Sequence, residues 1–215
     1  MHLLTTLFLL SLQLPLYYCY TDWDYILFVQ VWPGSWINNG PLLYKFNNSY
    51  FTIHGLWPQY YNGSWPQFCN HDKFNYLAIK NISQYLEMYW TNFKNAKDLW
   101  VHEYKKHATC AENDPLLSTE YQYFLTGLIL RNKYNIFSVL KNNSIVPSNI
   151  IKYSTKGLVK VLSKGFNNTI VMLCNENNIL NEIRFCLDKN LEQFDCPSNE
   201  LKEQCQNKYI SYNFV

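Results

Sequence analysis

Six cysteines constrain this chain more than any other feature. Cys69, Cys110, Cys174, Cys186, Cys196 and Cys205 form an even set, and a seventh, Cys19, sits in or beside an apolar run from Leu3 to Leu16. That run follows a short, barely charged start and reads as a secretory signal peptide. Cleavage is expected near Cys19 to Thr21, although no A-x-A-like site is present. An uncleaved anchor is the rival reading, and no later run is long and apolar enough to span a bilayer. A chain so delivered meets an oxidising compartment, where six cysteines can close three disulfides, in a connectivity that spacing alone leaves open. Five N-x-S/T sequons begin at Asn47, Asn62, Asn81, Asn142 and Asn167, so the expected product is a secreted glycoprotein carrying N-glycans, extracellular or held in a vacuolar or endolysosomal compartment. After a signal of about twenty residues, residues 21–215 are expected to form one domain, a monomer with no membrane association.

Ionisable groups concentrate in Trp100 to Cys110, WVHEYKKHATC. The pattern predicts a helix over about residues 97–109. On such a helix Glu103 and His107 share a face, and Lys106 lies one turn from both His102 and Glu103. A carboxylate beside an imidazole can orient it and raise its pKa. A lysine beside them supplies fixed positive charge for an anionic transition state. A solvated amphipathic face is the bland alternative. A helical zinc site needs histidines four apart, whereas His102 and His107 are five apart and point about 140° away from each other. No metal and no cofactor is expected.

Tyr25 to Val31 is an apolar run of strand length, with Gln30 its single polar member, either satisfying backbone groups or facing a cleft. Trp36 to Tyr50 reads as a loop. Phe51 to Leu56 is a second strand, and its His54 is followed by Gly55, which permits close approach of a backbone or ligand. Tyr60 to Cys69 is turn-rich. Helices are expected through Leu77–Tyr89 and Tyr121–Ile129, and one capped by Ser154 and ended by Gly165. Thr169 to Cys174 and Leu180 to Leu187 are strand candidates, and the tail is expected to be stapled and irregular. Helices in the middle and strands at both ends suggest α+β. With 48% hydrophobic and 18% aromatic residues the chain is no disordered polymer, and a net charge of +2 argues no overall polyanion-binding field.

FTIHGLWPQ at Phe51 to Gln59 and LWVHEYKKHATC at Leu99 to Cys110 together resemble the two active-site segments of the ribonuclease T2 family. VQVWP near residue 31 is similar to the family's first strand, and the segment from Met172 to Pro197 to its C-terminal cysteine region. The resemblance implies an α+β fold with a central antiparallel sheet flanked by helices. It implies cleavage of single-stranded RNA through a 2′,3′-cyclic phosphate without metal. His54 aligns with the general acid, His107 with the general base held by Glu103, Glu103 and Lys106 with the transition-state-stabilising pair, and His102 with a phosphate-binding histidine. Trp57 aligns with a base-stacking aromatic. Gln30 is expected at a second base site, and Gln59 stands where many members carry Asp. The resemblance also implies the pairings Cys69–Cys110, Cys174–Cys205 and Cys186–Cys196. Two departures stand out: the family's usual cysteine pair ahead of the His54 segment is missing, and Ala108 replaces a glycine. The family includes self-incompatibility ribonucleases, which need a protein recognition partner, and S-like enzymes of nutrition or defence. The alternative to an enzyme is a catalytically silent secreted glycoprotein of the same fold.

Overall fold

The computed structural model describes residues 22–36, 49–92 and 94–215. The signal-peptide run, Asn47 and most of the expected 36–50 loop therefore lie outside the described residues. Strand β1 (Tyr25–Val31) is buried at all seven positions, and β2 (Thr52–Gln59) pairs antiparallel with it. α1 (Ser83–Tyr89), α2 (Ala96–Lys106), α3 (Glu120–Lys133) and α4 (Ile136–Asn142) follow. Next come β3 (Ser148–Ser154), α5 (Thr155–Phe166), β4 (Val171–Cys174), β5 (Leu180–Leu187) and β6 (Gln193–Phe194). α6 (Ser198–Leu201) and β7 (Tyr209–Tyr212) complete the chain. The main sheet has the order β2-β1-β5-β4, with β6 added to β5, and β3 and β7 form a separate two-stranded sheet. This is the α+β architecture expected, with an antiparallel central sheet.

β1 is apolar without alternation because it is enclosed on both sides. Ile26 and Phe28 face a core built with Trp90, Trp100, Phe124 and Leu158, whereas Tyr25, Leu27 and Val29 face a smaller cluster that holds Cys186 and Cys196. β2 is the edge strand, which is why it tolerates Pro58 inside its ladder. The strand runs three residues beyond the expected Leu56, carrying Trp57 and Gln59 into the sheet.

The pairing of β1 with β2 slips once. Val29 faces Gly55 and Gln30 faces Ile53, so His54 is the extra residue of a bulge. A bulge re-aims one side chain without ending the strand. Two buried aromatics fix it in place: Trp90 donates its indole N–H to the His54 carbonyl at 2.8 Å, and Tyr123 hydrogen-bonds both backbone groups of Leu56. Trp100 of α2 in turn donates to the Trp90 carbonyl at 2.6 Å. The helix and the bulged strand are thus joined by a chain of buried hydrogen bonds.

The three disulfides are Cys69–Cys110, Cys174–Cys205 and Cys186–Cys196, as the resemblance implied. Ala108 sits in a short 3-10 turn and is not among the left-handed residues, so the missing glycine costs nothing in backbone strain. Ser154 caps α5 by accepting from the Gly157 N–H, but the helix passes Gly165 and stops at Asn167, which takes the left-handed conformation (φ 60°). The expected helix over 77–89 is shorter, with a 3-10 turn at Lys80–Ile82 leading into α1.

Candidate active site

Three elements converge on one place. β2 supplies His54, Gly55, Trp57 and Gln59. α2 supplies His102, Glu103 and Lys106, with His107 as its C-cap. β5 supplies Glu182 and Arg184, brought alongside β1 by the antiparallel pairing.

His54 stands between two carboxylates. Its Nδ1 lies 2.9 Å from Glu182 Oε1, and its Nε2 lies 3.8 Å from Glu103 Oε1. Burial disfavours the charged ring, but the hydrogen bond to Glu182 and the fields of Glu103 and Glu182 outweigh it, and the pKa rises. Burial also disfavours the Glu182 carboxylate. It is outweighed by His54 and by Arg184, whose Nε and Nη2 donate to Oε2 at 3.0 and 2.9 Å, so Glu182 stays below the usual glutamate value.

Glu103 is fully buried. Its Oε2 accepts from the Trp57 indole N–H at 2.8 Å, while Oε1 has no hydrogen-bond partner. Burial pushes the Glu103 carboxyl up to about 7, against the opposing pull of His54, Trp57 and Lys106. His107 is buried too, its ring stacked on Trp57 at 5.2 Å and 23°, with Nδ1 unpartnered. Burial, then the charges of Lys106, His102 and His54, hold its pKa down at about 2. The two histidines are therefore biased in opposite directions, His54 toward the protonated ring and His107 toward the neutral one.

A cleft of about 270 Å³ opens beside this pair, lined by Trp57, Gln59, Trp65, Lys106, His107 and Arg184 among others. A second hollow of about 280 Å³ lies on the His54 and Glu182 side, with Val31, Trp36 and Asn92 in its wall. Trp57 links the two, since its ring meets His54 edge-on at 4.9 Å.

The structure brings together His54, Trp57, Glu103, Lys106 and His107, with Gln59 in the cleft wall. His102 lies on the exposed side of α2. Partial burial, then Lys106 and His54, lower its pKa. His107 is buried, whereas His102 is exposed. Three expectations are corrected. Gln30 has the same parity as Ile26 and Phe28, so it points to the helical side, where it is buried and donates to the Tyr134 carbonyl at 2.9 Å. It is a satisfied core residue and not part of either hollow. The Glu103 carboxyl does not hold the His107 ring: it turns to Trp57 and His54, and the link between the two residues is the backbone bond from His107 N–H to the Glu103 carbonyl at 3.0 Å. The helix stops at Lys106, and His107 leaves helical geometry at φ −117°, so the one-turn spacing no longer aligns the side chains. Trp57 lines the cleft, but His107 is stacked on its ring and the Arg184 guanidinium lies 5.4 Å over it. The more open aromatic is Trp65, 52% exposed.

Glu182, Arg184 and Trp65 were not singled out from the sequence. The available signal for the first two was a pair of charges two apart in an otherwise apolar strand, which places both on one face. Four of the sequon asparagines, Asn62, Asn81, Asn142 and Asn167, are exposed.

A profile of the Ribonuclease T2 family matches residues 23–196. Ribonuclease DdI of Dictyostelium discoideum is 33% identical over 178 residues, covering 82% of this chain and 79% of its own. Intracellular ribonuclease LX of Solanum lycopersicum is 30% identical over 206 residues, covering 88% and 84%. Among solved structures, RNase NT in complex with 5′-AMP superimposes with a TM-score of 0.78 at 30% identity, covering 89% of this chain and 98% of that one. With both motif segments inside the matched span and the fold reproduced, the chain belongs to the ribonuclease T2 family and is an endoribonuclease.

Proposed function

We propose that this chain cleaves single-stranded RNA by attack of the substrate's own 2′-OH on phosphorus, giving a 2′,3′-cyclic phosphate. The observation that carries the reading is the contrast between His54 and His107, two imidazoles packed against the same indole and biased to opposite protonation states. Transphosphorylation needs one group to take a proton and one to give a proton. His107, neutral, takes the 2′-OH proton. His54, protonated, gives its proton to the leaving 5′ oxygen. Lys106, lining the cleft, faces the non-bridging oxygens and stabilises their growing charge. His102, exposed on α2 one turn before Lys106, adds a hydrogen-bond donor to the phosphate. Glu103, fully buried between His54 and Trp57, supports the His54 charge when ionised. Two imidazoles cover both proton transfers, so the reading assigns no step to a metal.

The strand enters unpaired, because bases must be splayed to reach an aromatic. One base stacks in the cleft on Trp65 with Gln59 beside it, and the base across the scissile phosphate enters the hollow bounded by His54 and Asn92. The apolar leader, three disulfides and exposed sequons support a secreted, N-glycosylated enzyme.

The test is cleavage of a dinucleotide and of its 2′-deoxy analogue, with and without EDTA, with products identified. The ribonucleotide should give a 2′,3′-cyclic product with or without EDTA, and the deoxy analogue should be inert. Turnover of the deoxy analogue, or abolition by EDTA, would overturn the mechanism. Absence of any cleavage would leave the silent-glycoprotein alternative.

A further inference from the structure

Charge is distributed unevenly along the chain. Between Glu120 and Glu176 there is no aspartate or glutamate, while the same stretch holds Arg131 and six lysines. The rest of the chain carries eleven Lys or Arg against sixteen carboxylates, so it is net negative although the whole is +2. Such asymmetry points to an anionic partner on one side of the molecule.

Part of the basic stretch builds a groove. α5 presents Lys156 and Lys160, one helical turn apart, and Lys208 stands across from them, with Val159 and Leu201 between, around a volume of about 720 Å³. No carboxylate lines it. Among the described residues none of these three lysines makes an ion pair, and all three are exposed. The walls are fixed to each other. The Thr155 N–H donates to the Lys208 carbonyl at 3.1 Å, the Thr155 hydroxyl bonds the Asn207 carbonyl, and Cys205 in the lining is bridged to Cys174. Next to Lys208 in the chain is Tyr209, 51% exposed, with the Lys208 ammonium 5.4 Å from its ring.

The position of the groove decides its occupant. One short segment separates it from the catalytic cleft: Asn199, Glu200 and Glu203 line the cleft, whereas Leu201, Gln204 and Gln206 line the groove. The two carboxylates on that divide are engaged. Glu203 accepts from Arg184 at 2.7 Å and Glu200 from the Tyr25 hydroxyl at 2.7 Å. A polyanion lying in the cleft can therefore cross to the lysines past one ion-paired carboxylate and one buried carboxylate. We infer that the groove formed by Lys156, Lys160 and Lys208 is a second RNA-binding site, which holds phosphates of the substrate beyond the scissile nucleotides while Tyr209 stacks an unpaired base. Single-stranded binding sites combine a positive groove with such aromatic platforms. The inference rests on the ribonuclease reading, which supplies the strand in the cleft.

The test compares the unmodified protein with Lys156→Glu, Lys160→Glu and Lys208→Glu combined, and with the three Lys→Gln changes combined. A matched reversal at Lys73, Lys80 and Lys97 controls for net charge. A dinucleotide and poly(U) are the cleaved substrates, and a 2′-O-methyl oligouridine, which lacks the attacking hydroxyl, is the binding probe. The expected result is unchanged kcat/KM on the dinucleotide in every variant, with a loss of about tenfold or more on poly(U) in the groove variants alone. The slope of log affinity for the oligouridine against log salt should fall by about 2, since each neutralised phosphate contributes about 0.7 on single strands. Equal losses on both substrates, no loss on either, or the same loss in the control would overturn the inference. So would unchanged oligouridine binding accompanied by lost binding to phosphatidylserine vesicles, which would assign the groove to a membrane surface. If the unmodified protein cleaves nothing yet binds the oligouridine through these lysines, the site stands and the catalytic reading falls.

Discussion

Glu182 is the residue with the largest effect on His54, because it takes one ring nitrogen while Glu103 faces the other. The groups facing that imidazole are Glu103 from α2, and Glu182 and Arg184 from β5. Replacing Glu182 by Gln removes both its hydrogen bond to a carboxylate and its charge, so the raised His54 pKa should fall. An acid catalyst is lost as pH rises through its folded pKa, so the alkaline limb of kcat/KM should move to lower pH in Glu182→Gln. A limb that stays in place would assign it to another group. Burial and the neighbouring cations hold the His107 ring neutral, and burial lifts Glu103 to about 7. Glu103 also carries a stability prediction. Its folded pKa is above its unfolded one, so the fold binds the proton more tightly, and stability is lost as pH rises from the unfolded value through about 7. Glu103→Gln should therefore raise Tm relative to the parent above pH 7, a gain in stability on the order of 3 kcal/mol at most, and leave it little changed near pH 4. A Tm that falls equally at both pH values would contradict the assignment. Most of the α2 machinery was legible from the spacing in WVHEYKKHATC. Glu182 and Arg184 were not, because they reach the site through strand pairing across the whole chain. Gln30 was misassigned because a strand buried on both faces shows no polar alternation to mark its sides.

At the scale of elements, β2 depends on a residue that has no side chain. A Cβ on Gly55 would lie 2.0 Å from Glu103 Oε2 and 2.3 Å from Trp57 Nε1, inside the hydrogen bond that joins β2 to α2. Both neighbours are packed and cannot retreat. Gly55→Ala should separate Trp57 from Glu103, lower stability by roughly 1–3 kcal/mol, and abolish most activity. Denaturant unfolding and dinucleotide assays check both, and a variant with near-parental values would show that the strand can shift at no cost. The sequence made β1, β5 and the α2 region readable, since each is a sustained pattern bounded by turns or caps. β3 and β7 were unreadable for a physical reason: β3 is a mostly exposed two-stranded edge with no apolar face to impose a period. α4 was passed over because Asn135 caps it only two residues beyond the end of α3. The His54 bulge also left no mark in composition, being a property of register.

At the scale of the whole molecule, the disulfides divide labour. Cys69–Cys110 ties the loop that carries Trp65 to the end of α2, reinforced by the Phe68 N–H to Lys106 carbonyl bond at 3.0 Å. Replacing both cysteines by serine should cost about 2–4 kcal/mol and raise KM more than it lowers kcat, because it loosens the cleft wall and leaves His54 and Glu182 in place. A selective loss of kcat would contradict this division. The pairing of β1 between β2 and β5 has a consequence for biogenesis. Val29 pairs with Gly55 early in the chain and with Arg184 late in it. Until β5 has been made, the most apolar strand of the protein has one bare edge, which invites mispairing and makes folding slow. Glu182 arrives on that same late strand. On the proposed mechanism no partly synthesised chain can hold His54 ready as the acid, so cleavage of RNA would begin only once β5 has been laid against β1.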